Sequence, residues 1–224
     1  MVRARAARPL TAAFFARPTL VVARELIGAT LEHETDAGRV AGRIVEVEAY
    51  IGESDPGCHA AAGPTPRNAP LYGPPGRAYV YLNYGVHCLL NAVTEEDGLP
   101  SAVLLRAAEP LAGVALMRAR RRPGMPGRGL PDEALCRGPG NLGRAFGVTL
   151  AHNAVSLVEG DLRLLGGPPT APVRWTRRIG LSRGGDRYWR CVAAASGSVS
   201  GTRAWNADAR SRPWPGRARA DRRA

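Results

Sequence analysis

Apolar residues recur at helical spacing over residues 19–28, with Leu20, Val22, Leu26 and Ile27 ahead of Gly28, and the Thr19 hydroxyl is placed to cap the first turn. The period then drops to two. Residues 30–34 and 39–50 read as strands joined across Asp36-Ala37-Gly38, and residues 78–81 and 86–93 as a second pair turning at Leu82-Asn83-Tyr84-Gly85. A further strand over 102–108 meets Glu109-Pro110, where a proline in the first turn predicts a helix to about Arg120. Short helices are predicted at 132–136 and 141–147, and strands near 154–158, 162–165, 173–181 and 187–194. Locally paired strands outnumber helices, which predicts an α+β fold with a mainly antiparallel sheet. One segment fits neither period: residues 52–76 carry eleven glycines and prolines, a loop region long enough to build a site.

The ends of the chain differ from its middle. Residues 1–17 read as a loose basic arm, 18–200 as a single domain, and 201–224, with seven arginines from Arg203 onward, as an arginine-rich disordered tail. All 31 basic side chains among the 224 residues are arginine, and against 19 acids they give a net charge of +12. Such a charge favours a polyanion as partner, although a codon bias replacing lysine would raise the arginine share with no functional cause. The missing lysine excludes side-chain Schiff bases and the phosphate-loop lysine, leaving the α-amino group as the available amine. With 45% hydrophobic residues the chain can bury one good core. No run of eighteen apolar residues predicts a membrane span, and no apolar stretch follows the basic start as a secretory signal would require. Cys58, Cys88, Cys136 and Cys191 are widely spaced, as in a protein with reduced, cytosolic thiols.

Two segments concentrate polar chemistry. In IVEVEAY, residues 44–50, Glu46, Glu48 and Tyr50 share one strand face. Read alone, this alternation fits a solvent-facing strand, while a carboxylate beside an aromatic ring is also a reasonable general base for water. In residues 79–91, Tyr79 and Tyr81 share a face, Tyr84 sits at the turn, and His87, Leu89 and Asn91 share a face of the returning strand. Such rings either pack across strands or sandwich a nucleobase. Gly138-Pro139-Gly140-Asn141-Leu142-Gly143 has dinucleotide-binding glycine spacing, but it follows a helical stretch, so it reads better as a helix start able to hold a phosphate. No HxH, HExxH or paired-cysteine spacing exists, so no metal and no cofactor is expected.

The ordered series IVEVEAY, His59, TPRN, PPGRAYVYLNYG, Asn91, VLLRAAEP, CRGPGNLGRAFGV and RRIGLS resembles the alkyladenine (3-methyladenine) DNA glycosylase family in its bacterial form, over about residues 8–200. The resemblance implies one mixed domain with a curved antiparallel sheet and a DNA-inserting β-hairpin. It implies a monofunctional base-excision repair enzyme without lyase activity, which flips damaged purines and hydrolyses the N-glycosidic bond, leaving an abasic site. By position, Glu48 is the expected general base, Arg106 and the backbone carbonyl of Ile179 hold the water, and Tyr50, His59 and Tyr81 enclose the base. Asn91 is expected to exclude guanine, and Tyr84 to fill the gap left in the duplex. Glu46 is expected to be structural. Asn83 and Val86 depart from the family's hairpin, which usually has an apolar residue and methionine there. The implied partner is duplex DNA containing damaged purines, met by a cytoplasmic, nucleoid-associated monomer away from any membrane. A non-catalytic nucleic-acid-binding protein is the alternative.

Overall fold

The computed structural model describes residues 8–121, 129–167 and 172–213. Its strands, β1 (Thr30–His33), β2 (Val40–Ile51), β3 (Ala78–Asn83), β4 (His87–Val93), β5 (Ser101–Ala112), β6 (Leu162–Leu165), β7 (Val173–Thr176) and β8 (Arg190–Ala193), form one sheet in which every pairing is antiparallel. The path runs β3-β4-β5-β2-β1-β6, with β8 also paired to β2 and β7 to β8. The α+β expectation therefore holds, as one domain around a curved antiparallel sheet.

β2 organises the molecule. One edge pairs along its length with β5; the other is shared, β1 taking residues up to Arg43 and β8 taking Glu46, Val47 and Glu48. Irregularities in the β5 register between Ile44 and Val47 mark the handover. Val45, Val47 and Ala49 enter the main apolar core, and their neighbours Glu46 and Glu48 are equally buried on the other side. The solvent-facing reading of this strand is thus overturned: later segments of the chain cover the polar face.

The helices are α1 (Ala12–Phe15), α2 (Thr19–Leu26), α3 (Val114–Arg121), α4 (Asp132–Leu135), α5 (Pro139–Phe146) and α6 (Arg203–Ala207). Several differ from expectation for local reasons. Pro18, not Thr19, caps α2, and the Thr19 hydroxyl donates instead to Glu95 at 2.8 Å. β5 continues through Glu109-Pro110 because both remain paired with Arg43 and Gly42, and α3 starts only after Gly113. Gly113 has φ 70°, and a Cβ there would lie 2.3 Å from the Arg39 carbonyl oxygen. Residues 154–158 form no strand, only an isolated bridge from Ser156 to Arg77. α5 explains the glycine-rich run: a Cβ on Gly143 would sit 2.2 Å from the Cys88 carbonyl oxygen, so the glycine lets the helix lie directly on β4.

Both ends are more ordered than their composition suggested. Residues 1–7 lie outside the described residues, but Pro9 bridges to Leu165 and Phe15 is fully buried, so residues 8–17 are not a loose arm. Beyond residue 200, α6 forms, Arg210 exchanges backbone hydrogen bonds with Trp175 of β7, and the Tyr188 hydroxyl donates to Asp208 at 2.6 Å. The tail is therefore structured through residue 213. It gains order from the open edge of β7, which composition does not reveal; residues 214–224 lie outside the described residues. Among the described residues no helix is long and apolar enough to cross a membrane.

Candidate active site

The polar face of β2 holds a buried charge network. Glu46 accepts from Arg106 Nε and Arg190 Nε at 2.7 Å each, from the Ser200 hydroxyl at 2.8 Å and from the Ser200 amide at 2.6 Å. Burial opposes its ionisation, but the Arg106 and Arg190 cations more than offset that, and its carboxyl sits below the usual range. Glu48 is also fully buried. It accepts from the Tyr50 hydroxyl at 2.8 Å, from Arg106 Nη1 at 3.1 Å and from the Ile179 amide at 2.8 Å. Arg106 thus spans both glutamates with one fork, and its Nη2 reaches the Ser200 hydroxyl at 3.4 Å. Burial and the Glu48 carboxylate push the Tyr50 phenol well above its ordinary pKa, so it stays a donor.

Beside this network lies an open cavity. Tyr50, Cys58, His59, Tyr79, Tyr81 and Asn91 are among its lining residues. Tyr50 belongs to both, joining cavity to carboxylate. The loop of residues 52–76 contributes His59 from a 3-10 turn, His59–Ala62, and its ring meets Tyr81 with centroids 4.5 Å apart. His59 Nδ1 lies 2.8 Å from the Tyr79 hydroxyl, and burial followed by the Arg67 charge lowers its pKa, which favours a neutral ring. Burial raises both Tyr79 and Tyr81 to about 12. Asn91, opposite Tyr79 in the β3–β4 register, donates its amide to the Tyr79 carbonyl at 2.9 Å. The wall is therefore aromatic, neutral and fixed from behind.

Tyr84 lies apart from this cavity, at the end of the hairpin. Asn83 pairs with His87, so the loop is residues 84–86, starting two residues and ending one residue after the expected turn. Tyr84 has φ 50°, is 88% exposed, and has Leu82 and Val86 exposed beside it. It stands three residues, about 10 Å of strand, beyond Tyr81.

A family model described as methylpurine-DNA glycosylase matches residues 13–197. The chain belongs to this family. Similar proteins include one from Methanocella arvoryzae, 44% identical over 84% of this chain and 93% of the relative. Another, from Chlorobaculum tepidum, is 44% identical over 86% and 91%, and one from Rhodopseudomonas palustris is 47% identical over 85% and 90%. Each is named as a predicted 3-methyladenine DNA glycosylase.

Within this glycosylase-family chain, Glu48, Arg106, Ile179 and Tyr50 meet in one hydrogen-bonded set, and Tyr50, His59, Tyr81 and Asn91 share the cavity. Sequence reasoning missed the residues behind them. Arg190 and Ser200 complete the Glu46 network, while Tyr79, noted from sequence only as a ring beside Tyr81, lines the cavity and holds both His59 and Asn91. Arg178 and Asp55 form a fully buried pair beneath Tyr50. Arg178 adjoins Ile179 in the RIG motif, which was the available signal; Asp55 and Ser200 lie in loops without periodicity. Among the described residues, no three His, Cys, Asp or Glu side chains group as metal ligands, and all four cysteines are free.

Proposed function

We propose that this chain is a monofunctional DNA glycosylase that removes alkylated or deaminated purines from duplex DNA through a water activated by Glu48. The observation that carries this reading is the join at Tyr50, where an aromatic cavity abuts a buried carboxylate accepting three hydrogen bonds. A purine in the stack exposes neither its faces nor C1′ to a protein, so the nucleotide must turn out into a pocket at a cost of a few kcal/mol. Tyr50 on one side and His59 with Tyr81 on the other enclose the base. Their electron-rich faces favour a cationic or electron-poor ring over a normal purine. Asn91, its amide nitrogen committed to the Tyr79 carbonyl, does not swing aside for the exocyclic amino group of guanine. Tyr84, projecting from the hairpin, fills the space left in the duplex.

Glu48 takes a proton from water as oxygen attacks C1′, and the base departs with the bonding electrons. An alkylated purine is already positively charged and leaves readily; a neutral lesion such as hypoxanthine also needs a proton. As the sugar gains oxocarbenium character the Glu48 anion stabilises it, as a carboxylate does in glycoside hydrolysis. Arg106 holds that anion in place, and the Ile179 amide fixes its other oxygen, leaving the Ile179 carbonyl available to the water. With no lysine in the chain, no ε-amine can trap the sugar, which disfavours a lyase step and supports an intact strand with an abasic site as the product. We further propose that the protein works as a monomer at the nucleoid, with salt-dependent affinity set by its arginines.

The test is Glu48→Gln in single-turnover assays on duplexes carrying one 7-methylguanine or hypoxanthine, with free base and strand scission measured separately. Wild type should release base without scission, and the variant should bind but not release. Lesion binding by wild type with no release would favour the non-catalytic reading.

A further inference from the structure

Arg178 is a fully enclosed cation beside the cavity, with its side chain 0% exposed. Nη1 donates to Asp55 Oδ2 at 2.6 Å and to the Ala49 carbonyl at 3.0 Å; Nη2 donates to Asp55 Oδ1 at 2.7 Å and to the Gly184 carbonyl at 2.8 Å. These four bonds use every Nη hydrogen, and Nε, buried without a hydrogen-bond partner, is the one donor left. The guanidinium carbon lies 4.7 Å from the Tyr50 ring centroid and 5.2 Å from that of Trp189, so the flat cation is held between two rings. Arg178 is not among the residues lining the cavity, although Tyr50, over whose ring it lies, and Gly57 and Leu181 beside it all are.

Each bond of this cation ends on an element of the site. Ala49 lies between Glu48 and Tyr50 in β2. Asp55 accepts from the amides of Ile51 and Gly57, at 3.2 and 3.1 Å, and so shapes the turn that leads to Cys58 and His59. Gly184 closes the loop that carries Leu181, another residue of the cavity wall. The next residue along the chain from Arg178 is Ile179, whose amide fixes Glu48. The approach is close enough to require glycine: a Cβ on Gly57 or Gly184 would lie 2.8 or 2.9 Å from Nη2.

We propose that Arg178 is the positioning residue of this site, setting the Tyr50 wall, the Gly57 and Leu181 walls and the Glu48–Ile179 contact from one guanidinium. The proposal rests on the reading of the cavity as a damaged-purine pocket. Lysine cannot replace it, since an ammonium has three donors, no plane to fit between two rings and no fork to match Asp55.

The test compares wild type, Arg178→Lys, the doubly neutral Arg178→Met/Asp55→Asn, and Leu164→Ala in β6, a core change remote from the site that matches for lost stability. All are assayed where circular dichroism shows them folded, on a 7-methylguanine duplex, for single-turnover excision rate and for lesion-duplex Kd. Displacements near 1 Å at reacting groups cost on the order of 100-fold in rate. Both Arg178 variants should fall by about that factor while Kd changes by less than about fivefold, and Leu164→Ala should keep the wild-type rate. Equal rates in wild type and either folded Arg178 variant would overturn the proposal, as would a loss that Leu164→Ala reproduces. Failure of wild type itself to release base would instead remove the glycosylase reading on which the proposal rests.

Discussion

Glu46→Gln probes the division of labour between the two buried glutamates. In the native site Glu46 and Glu48 balance Arg106 and Arg190, and Glu46 alone accepts four hydrogen bonds. Glutamine keeps the shape but removes one negative charge and turns one oxygen into a donor. If the remaining oxygen keeps the two arginine Nε groups, the new NH₂ faces the Ser200 amide, donor against donor. Leaving a buried cation without its counter-charge costs about 3–5 kcal/mol. For a domain of this size each kcal/mol lowers Tm by about 2–4 °C, so the expected fall is roughly 6–20 °C. The acid response carries a sign. Because the folded carboxyl lies below its unfolded value, its stabilisation is present above the unfolded pKa and is lost as pH falls through the folded one. The gap between wild type and variant, measured by urea denaturation, should therefore narrow in acid. Arg106 keeps its Nη1 bond to Glu48, so excision at a temperature where the variant is folded should stay within about tenfold of wild type. Loss of excision as complete as that in Glu48→Gln, at full stability, would refute this account and move the catalytic role to Glu46.

Three other substitutions test the frame around the site. Gly143→Ala gains about 1 kcal/mol in helix preference but forces a Cβ to 2.2 Å from the Cys88 carbonyl, and overpacking of about 3 kcal/mol should leave a net loss near 2 kcal/mol in urea denaturation. Tyr84→Ala, at an exposed tip, should leave stability within about 0.5 kcal/mol, yet slow excision from duplex more than from a single-stranded lesion substrate; equal slowing on both would count against a wedge. The Thr149 amide donates to His152 Nδ1, so His152 Nε2–H faces His33 Nε2 at 3.3 Å, and His33 Nδ1–H donates to the Phe146 carbonyl at 2.7 Å. Burial lowers the His33 pKa, helped by His152 and Arg120 against the opposing Phe146 bond and Asp161, so its stabilisation is present above its ordinary 6.5 and lost as pH falls below it. Wild type should lose urea stability between about pH 7 and 5, and His33→Asn should reduce that slope, the remainder coming from His59, whose pKa burial also lowers.

Some of this was legible in the residues alone. The two-residue period of IVEVEAY placed Glu48 and Tyr50 on one face, and their hydroxyl–carboxylate bond follows from that spacing. Hairpin β3–β4, helix α5 and the strands of residues 30–50 appear near their expected limits, because local pairing and turn chemistry specify them. Resemblance supplied the expected roles of His59, Asn91, Arg106 and Ile179. What pattern could not supply was burial: Glu46 and Glu48 look like exposed positions until β8 and Ser200, more than 140 residues away, cover them. Arg178 and Asp55, 123 positions apart, sit in segments without period. The same applies to residues 201–213, whose composition suggests disorder and whose order depends on the open edge of β7. Sequence fixes what local hydrogen bonding and side-chain period can decide. Whether a carboxylate is an ordinary surface charge or a buried, cation-paired anion depends on which distant cations enclose it, and in this protein only the tertiary structure brings them there.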